Sequence, residues 1–345
     1  MNGSIRTLTP ARFWLWMLGF IGFTAICVIV APLFGSENVD FARALDFSYP
    51  IGENTDRFIL FAIRMPRIAL ALVTGASLAM SGAAMQALLR NPLASPFTLG
   101  VASGGTLGAA LMIFFGIGAT AFAVPGTVFG AFVLSLLTLA LVWALAWSKG
   151  RLPTGMLLLA GVSVNFLFGA LVLLLQYLSD FEQNFALIRW MMGSLDTVGY
   201  DSVWGILPVL VIASIALFMH ARAYNLMALG DEGAKTAGVN VRNLELTGFI
   251  AAGLLAGAAV SQVGPIGFVG LIVPHAVRLV LGPDHRQLLP LSSLTGAMFL
   301  VLADTAARIV VAPAQLPVGV ITAMIGGPFF LMLLMRYNRK VYRLT

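Results

Sequence analysis

Apolar stretches of about 20 residues recur from one end of this 345-residue chain to the other. A helix needs roughly 20 apolar residues to cross a bilayer, because hydrocarbon leaves every backbone N–H and C=O to be paired within the segment. Only 10% of the residues are charged, whereas an average soluble domain has about 25%. Such a chain cannot cover a water-facing surface with polar groups. The sequence therefore predicts an all-α integral membrane protein.

The apolar runs number ten, and we interpret residues 1–345 as one transmembrane domain. The runs lie at about residues 13–33, 58–88, 98–115, 124–147, 154–178, 203–220, 244–263, 268–281, 288–311 and 318–335. The first run exceeds the roughly 7–15 apolar residues of a cleavable signal peptide, so we expect it to be retained. Ten spans would leave both termini on the same side of the membrane.

Lysine and arginine predict the orientation, because cytoplasmic loops carry an excess of these residues. If the N-terminus is cytoplasmic, 14 of the 20 basic residues are inside and six are outside. The inner residues are Arg6, Arg12, Arg90, Lys149, Arg151, Arg222, Lys235, Arg242, Arg278, Arg286, Arg336, Arg339, Lys340 and Arg343; the outer ones are Arg43, Arg57, Arg64, Arg67, Arg189 and Arg308. Basic residues scattered in this way indicate topology rather than nucleic-acid binding. The single cysteine, Cys27, excludes a disulfide within the chain.

Two similar segments hint at an internal repeat. Gly82-Ala-Ala-Met-Gln86 resembles Gly257-Ala-Ala-Val-Ser-Gln262, and a Pro-containing break follows each segment. The two copies end runs of opposite direction, so the repeat would be inverted, as in many transporters. Chance recurrence of small residues in membrane helices is the alternative.

The longest polar insertion on the predicted inner side covers residues 226–240. Residues 230–236 superficially resemble a phosphate-binding loop, but Ala234 occupies the position before Lys235 where that loop needs glycine. We therefore expect no ATP hydrolysis by this chain. Short amphipathic helices at the inner surface, available to a partner, are one interpretation of the insertion; a solvated loop is the other.

Charges within apolar runs are costly and usually paired or functional. Asp304 and Arg308 are four residues apart on one helix, so they can form an ion pair. Arg64 and Arg67 lie at the predicted outer end of the second run. They can either extend to the interface or bind acidic groups of an external partner.

The fifth run carries a stripe of small and polar residues. Asn165, Gly169, Val172 and Gln176 share one helix face at spacings of four, three and four. Such a stripe marks either a helix contact, which is commoner, or the lining of a path.

The motifs of enzymes and metal sites are missing from the sequence. His220, His275 and His285 form no H-E-x-x-H pattern and have no neighbouring cysteine or carboxylate pair. An intramembrane enzyme would need a polar catalytic cluster within a span. An ion- or proton-coupled carrier would need acidic residues there, and only Asp304 qualifies. We predict neither catalytic residues nor a bound metal or cofactor.

Several motifs, in order from about residue 57 to 336, together resemble the permeases that import iron-siderophores, haem and vitamin B12. The first set is Arg64-Met-Pro-Arg67, Gly75-Ala-Ser-Leu-Ala-Met-Ser-Gly82 with Gln86, and Arg90-Asn-Pro-Leu-Ala-Ser-Pro96. The second is Gly264-Pro-Ile-Gly-Phe-Val-Gly-Leu-Ile-Val-Pro-His275 with Arg278, Asp284-His-Arg286, Ala303-Asp304 with Arg308, and Leu316-Pro-Val-Gly-Val-Ile-Thr-Ala323. This resemblance implies the type II fold of ABC importer permeases.

The resemblance also implies the partners. They are a second copy of the chain, two ATPase subunits that carry ATP and Mg, and a periplasmic or lipid-anchored binding protein, all at a bacterial cytoplasmic membrane. A ferric siderophore would be the commonest cargo, with haem or a corrinoid as the alternative.

The resemblance further assigns roles to residues. Residues that contact the ATPase would be Leu229, Gly230, Asp231, Glu232, Ala234, Ala237 and Gly238. Arg64, Arg67 and Arg308 would bind the external protein, and Asn165, Gly169, Val172 and Gln176 would line the path. Gln315 occupies a position where many such permeases have glutamate.

Overall fold

The computed structural model describes residues 10–35, 37–48, 53–118, 124–147 and 153–341. Most of these residues are helical, and turns, irregular loops and short 3₁₀ or π segments join the helices. The helices are α1 (Pro10–Val30), α2 (Phe41–Ala44), α3 (Thr55–Phe58), α4 (Met65–Leu88), α5 (Val101–Phe114), α6 (Gly126–Ala146), α7 (Thr154–Leu178), α8 (Phe181–Met191), α9 (Asp201–Met219), α10 (Ala221–Met227), α11 (Gly230–Thr236), α12 (Val241–Val263), α13 (Val269–Leu281), α14 (His285–Ile309) and α15 (Val318–Val341).

Ten apolar helices in the described residues confirm the ten predicted runs. Seven are long enough to cross a membrane, and α5, α13 and α15 contain three shorter apolar stretches. Each helix starts within three residues of its prediction. The second span is one continuous helix, Thr55–Leu88, in which a π-helical stretch from Ile59 to Arg64 joins α3 to α4.

The predicted polar segment of residues 179–201 contains a helix that the apolar pattern does not indicate. Asp180 and Gln183 form a reciprocal capping box, which satisfies free N–H groups at the start of α8. The Gln183 side chain also donates to the carbonyl oxygen of Phe114 at 3.2 Å, which ties α8 to α5. With 11 residues, α8 is too short and too amphipathic for a search based on long apolar runs.

The centre of the bundle is formed by α4, α12, α13 and α14, which approach closely through small residues. A Cβ atom added at Gly75 of α4 would overlap the carbonyl group of Gly296 on α14. Likewise, a Cβ at Gly82 would overlap the backbone of Gly270 on α13. Small residues permit such backbone contact, which is a main source of packing energy between helices in lipid.

The packing pattern supports the hypothesis of an inverted repeat. Helix α4 packs against α13 and α14, and α12 packs against the corresponding helices α5 and α6. The pairs α6–α7 and α14–α15 correspond in the same way. The two Pro-containing breaks separate α4 from α5 and α12 from α13.

The structure also groups the charged residues as the predicted topology requires. At the predicted outer end, Arg67 contacts Asp196 and Asp304. Contacts at the predicted inner end include Arg90 with Asp231 and Asn225 with Asp284. Arg6, Lys149, Arg151 and Arg343 lie outside the described residues, as do the side chains of Arg336, Arg339 and Lys340.

Candidate functional site

A groove of about 550 Å³ runs along α7, and all four residues of the predicted stripe line it. Asn165 accepts a hydrogen bond from Ser103 at 2.6 Å and donates to the carbonyl oxygen of Phe97 at 3.4 Å. Gln176 lies against Met191 of α8, with 3.8 Å between its amide nitrogen and the sulfur. Val172 is buried among Leu107, Ala110 and Leu187. The stripe therefore lines a groove and also makes helix contacts, because Asn165 and Val172 touch neighbouring elements.

A second groove, of about 620 Å³, meets the first at Met191 and borders α15. Its lining residues are Phe97, Met191, Met192, Pro265, Gly267, Gly319, Val320, Ala323 and Met324. The tenth span thus borders the same grooved face as the fifth span. Phe97, Met191 and Met192 are lining residues that the sequence motifs did not indicate. The only sequence feature that indicated these three residues was their position beside interruptions of the apolar runs.

The turn from Gly264 to Phe268 forms part of this face and has an unusual backbone. Phe268 adopts a φ of 69°, in the left-handed region that non-glycine residues rarely occupy. Its ring lies against Gly326 of α15, where an added Cβ would overlap the ring. Strained residues of this kind cluster at functional sites. The permease motif includes this segment, but the sequence contains no signal for the conformation of Phe268.

The three predicted docking arginines are buried in the single chain. Arg64, Arg67 and Arg308 are 5%, 5% and 3% exposed. In Arg67, Nε donates to Asp304 at 2.9 Å, and Nη1 donates to Asp196 at 2.5 Å and to Gln315 at 2.8 Å. These contacts hold the α8–α9 turn and the α14–α15 loop against α4.

Arg308 and Arg64 hold the segment that follows α1. Arg308 forms the predicted ion pair with Asp304 at 3.1 Å and donates to the carbonyl oxygen of Phe34 at 2.8 Å. Arg64 donates to the carbonyl oxygens of Pro32, at 2.6 Å, and Glu37. These arginines make so many contacts because a buried charge without a partner is costly, whereas an ion pair or hydrogen bonds to carbonyl oxygens offset much of that cost. The sequence predicted one of these pairs and missed the rest, which join residues far apart in the chain.

Gln315, the residue expected from the resemblance to stand where many such permeases have glutamate, contacts Arg67. Its side-chain oxygen accepts from Arg67, as a carboxylate oxygen would. The exposed basic residue of this cluster is Arg189, which lies 3.5 Å from Asp196. Its exposure makes Arg189, rather than Arg67, the arginine of this cluster that a partner can reach.

The inner segment 226–240 contains the end of α10 and all of α11, which agrees with the helical interpretation rather than the loop. Leu229 is exposed between the two helices, and Ala237 and Gly238 are exposed after α11. Ala234 is fully buried and faces the protein instead. Gly230 and Gly238 have φ values of 84° and 85°, which favour glycine. Helix α10, not a β-strand, precedes residues 230–236, as expected for a segment that is not a phosphate loop.

The turn between α13 and α14 lies near α10 and is held by Asp284. Burial alone would raise the pKa of Asp284, but hydrogen bonds from Arg286 and Asn225 lower this pKa to about 2. Asn225 of α10 donates to Asp284 at 2.8 Å. The turn and α10 are therefore joined by a charged, hydrogen-bonded contact.

The histidines do not gather with other metal-binding side chains. His285 contacts Asn225, and His220 contacts the backbone of its own helix. In the part of the chain that the structure describes, no group of three His, Cys, Asp or Glu side chains could hold a metal ion.

Ten apolar helices in the described part of the chain, with a grooved face and two short helices at one end, are the architecture of a polytopic membrane protein. Residues 23–336 match the FecCD transport family, and the chain belongs to that family. It is accordingly the permease subunit of an ABC importer, a non-catalytic, multi-pass membrane protein. The permease resemblance seen in the sequence motifs is confirmed.

Curated relatives cover most of this chain. A cobalamin import permease, BtuC of Halobacterium salinarum, is 45% identical over 86% of this chain and 78% of its own length. The hemin transport permease HmuU of Yersinia pestis is 41% identical over 93% of this chain and 96% of its own. A solved inward-facing conformation of a putative metal-chelate type ABC transporter has a TM-score of 0.81 at 32% identity, over 95% of this chain and all of that one.

Proposed function

We propose that this permease imports an iron chelate, most specifically a ferric siderophore, across a cytoplasmic membrane. Two copies of the chain would surround the path. Two ATPase subunits would bind at the side of α10 and α11 and power the transport. An external binding protein would deliver the cargo at the opposite side of the membrane. Relatives named for haem and cobalamin transport make those two cargoes the alternatives.

The observation that carries the proposal is the chemistry of the two grooves. Their lining residues are apolar, amide or hydroxyl side chains, and none of those in the described structure is charged. Such a surface offers no carboxylate, imidazole or thiolate ligand to a bare metal ion, whose desolvation would be costly. A metal that is wrapped in an organic chelator presents the chelator instead. The grooves therefore suit a bulky chelate better than a free ion.

A second copy of the chain would close this surface. The grooves lie open on one face, along helices that carry exposed large apolar side chains such as Phe166, Leu173 and Tyr177. Lipid could cover these side chains, but it would leave the polar atoms of Asn165 and Gln176 facing hydrocarbon. Pairing two such faces would instead enclose an aqueous path between them.

The predicted inner and outer ends of the molecule are the proposed contacts with the ATPase and with the binding protein. Residues 229–238 are the proposed contact with the ATPase, with Leu229 and Gly238 at its surface. The outer ends of α4 and α14 are the proposed docking area. Since Arg64, Arg67 and Arg308 are buried there, they would act on docking by holding the outer segments in place, and Arg189 would provide direct contact.

Reconstitution into proteoliposomes with the cognate ATPase and binding protein tests the proposal. We expect ATP-dependent uptake of a radiolabelled ferric hydroxamate siderophore, with haem and cobalamin offered separately. If haem or cobalamin is taken up and the siderophore is not, the importer function is confirmed and the siderophore assignment is overturned. Uptake of free iron without a chelator would overturn the chelate argument.

A further inference from the structure

Helix α4 ends at an arginine in a backbone conformation that favours glycine. Arg90 has a φ of 48°, and Arg90 and Phe268 are the non-glycine residues with positive φ in the described chain. The backbone N–H of Asn91 donates to the backbone carbonyl oxygen of Gln86, and the N–H of Arg90 donates to that of Ala87, each at 3.2 Å. This is a Schellman ending, in which glycine is the usual residue at the position of Arg90. An arginine kept at a strained position suggests a task for its side chain.

The side chain of Arg90 reaches the proposed ATPase-contacting segment. Its Nη2 lies 3.0 Å from Oδ1 of Asp231, in the first turn of α11. The two side chains are 39% and 41% exposed, so the ion pair lies at the protein surface. Exposed ion pairs add little to stability, because water screens them and ordering the side chains costs entropy. Stability is therefore a poor explanation for placing arginine at this position.

The last turn of α4 also contacts the segment that borders the grooves. Gln86, one helical turn before Arg90, donates to the carbonyl oxygen of Leu271 at 3.2 Å. Its own side-chain oxygen accepts from Arg278 at 3.0 Å. The N–H of Leu271 in turn donates to the carbonyl oxygen of Phe268. Direct contacts thus connect Asp231 through the end of α4 to the strained turn at Phe268.

We propose that Arg90 is a positioning residue that transmits movement of α11 through α4 to the 264–268 turn beside the path. The proposal rests on the proposed function, since it takes α10 and α11 as the ATPase contact. When the ATPase displaces α11, the ion pair pulls on the end of α4, and Gln86 carries the displacement to Leu271. Movement of Phe268 against Gly326 of α15 would then change access to the groove. The contacts from Asp231 to Phe268 form a continuous series of packed and hydrogen-bonded groups, which can carry such coupling.

Arg90→Gly is the decisive variant, because glycine suits the left-handed backbone. A merely structural role predicts a less stable protein. A positioning role predicts a protein of equal or higher thermal stability that imports less substrate for each ATP hydrolysed by the complete importer. We expect a loss of about fivefold or more in that ratio, the lower range of measured coupling between sites. The cargo in the assay is whichever of the three chelates the wild-type complex imports.

A charge exchange and a matched control complete the test. Arg90→Asp with Asp231→Arg restores the ion pair in reverse, and aspartate tolerates the left-handed conformation. We expect this double variant to recover much of the ratio that Asp231→Arg alone loses. The control pair is Arg43 and Asp56, which form an ion pair of 3.9 Å at the predicted outer end, far from α11. Removing the control pair with Arg43→Ala and Asp56→Ala should leave the ratio unchanged.

The possible outcomes separate this inference from the proposed function. If wild-type importer hydrolyses ATP and imports cargo, and Arg90→Gly does so at an unchanged ratio, the positioning role is overturned. The positioning role is also overturned if the control variants lower the ratio as much as Arg90→Gly does. If the wild-type chain neither binds the ATPase nor imports any of the three chelates, the proposed function itself is overturned.

Discussion

Helices α4 and α7 are both long and apolar, yet their surroundings differ. In an apolar stretch of 18 residues within the helix Thr55–Leu88, 89% of the residues are buried, whereas 22% are buried in such a stretch of Thr154–Leu178. The buried helix is rich in Gly, Ala and Ser, and the exposed one in Leu and Phe. Hydropathy therefore identifies a membrane helix, but small residues show where it packs. The exposed helix keeps a surface for lipid and, in the proposed dimer, for the second copy and the path.

The largest expected effect contrasts one glycine on each helix. Gly82→Leu would force a side chain into the backbone of Gly270, whereas Gly169 has nothing within 4 Å. We expect Gly82→Leu to abolish accumulation of folded protein. Gly169→Leu should accumulate normally and impair uptake, because it narrows the groove. Size-exclusion profiles in detergent and uptake assays measure the two effects. Equal accumulation of both variants would show that the α4 contact is not tight.

The second contrast concerns the charged ends of the bundle. Asp304→Ala leaves Arg67 and Arg308 buried without their shared carboxylate, and we expect a loss of about 3–5 kcal/mol in stability. Arg43→Ala removes an exposed ion pair of 3.9 Å with Asp56, and we expect a change below about 1 kcal/mol. Unfolding in detergent with added denaturant measures both. A small effect of Asp304→Ala would mean that the buried cluster relaxes or takes up water.

These two contrasts show what could and could not be predicted before the structure. Apolar runs identified the ten helices because burial in lipid requires length and composition, which are local properties. The Asp304–Arg308 pair was predictable because its members are one turn apart. Contacts of Arg67 with Asp196 and Gln315 were not, since they join residues 129 and 248 positions away. The burial of the docking arginines follows from those contacts and was missed with them.

The third prediction tests the proposed ATPase contact. Gly230→Val or Gly238→Val places a β-branched residue at a positive φ, which should distort α11 or the turn after it. We expect the complex to assemble and hydrolyse ATP, with uptake for each ATP reduced several-fold. A matched control is Gly155→Val, a helical glycine with open space around it. Normal uptake for each ATP in both Gly230→Val and Gly238→Val would contradict the assignment of residues 229–238 to the ATPase contact.

A fourth prediction concerns which face of α7 meets water. In a chain with Cys27 replaced, cysteines at Asn165, Gly169 and Gln176 should react with aqueous thiol reagents. Cysteines at Leu167 and Leu174 should resist, although these residues are 55% and 52% exposed in the single chain, because lipid or the second copy would cover them. Equal labelling of both sets would show that the stripe does not line the path.

The smallest expected effect concerns docking, where the outer ends of α4 and α8 can be compared. Arg67 is buried and Arg189 is exposed, although both contact Asp196. An exposed guanidinium can bind a partner's carboxylate and remains charged at any relevant pH. We therefore expect Arg189→Glu to lower affinity for the binding protein about tenfold at low salt, with no change in stability. Because salt screens exposed charges, the difference from wild type should shrink as ionic strength rises.

Charge reversal at the other outer arginines separates a docking site from a general surface field. Arg43→Glu makes the same change on an exposed residue outside the cluster, and we expect a smaller loss. Arg67→Glu should lower stability as well as affinity, because it places a second acid beside Asp304 in a buried site. If Arg43→Glu weakens docking as much as Arg189→Glu does, only the overall charge of this surface matters. If Arg67→Glu weakens docking while stability stays unchanged, the guanidinium of Arg67 must leave its buried position to meet the partner directly.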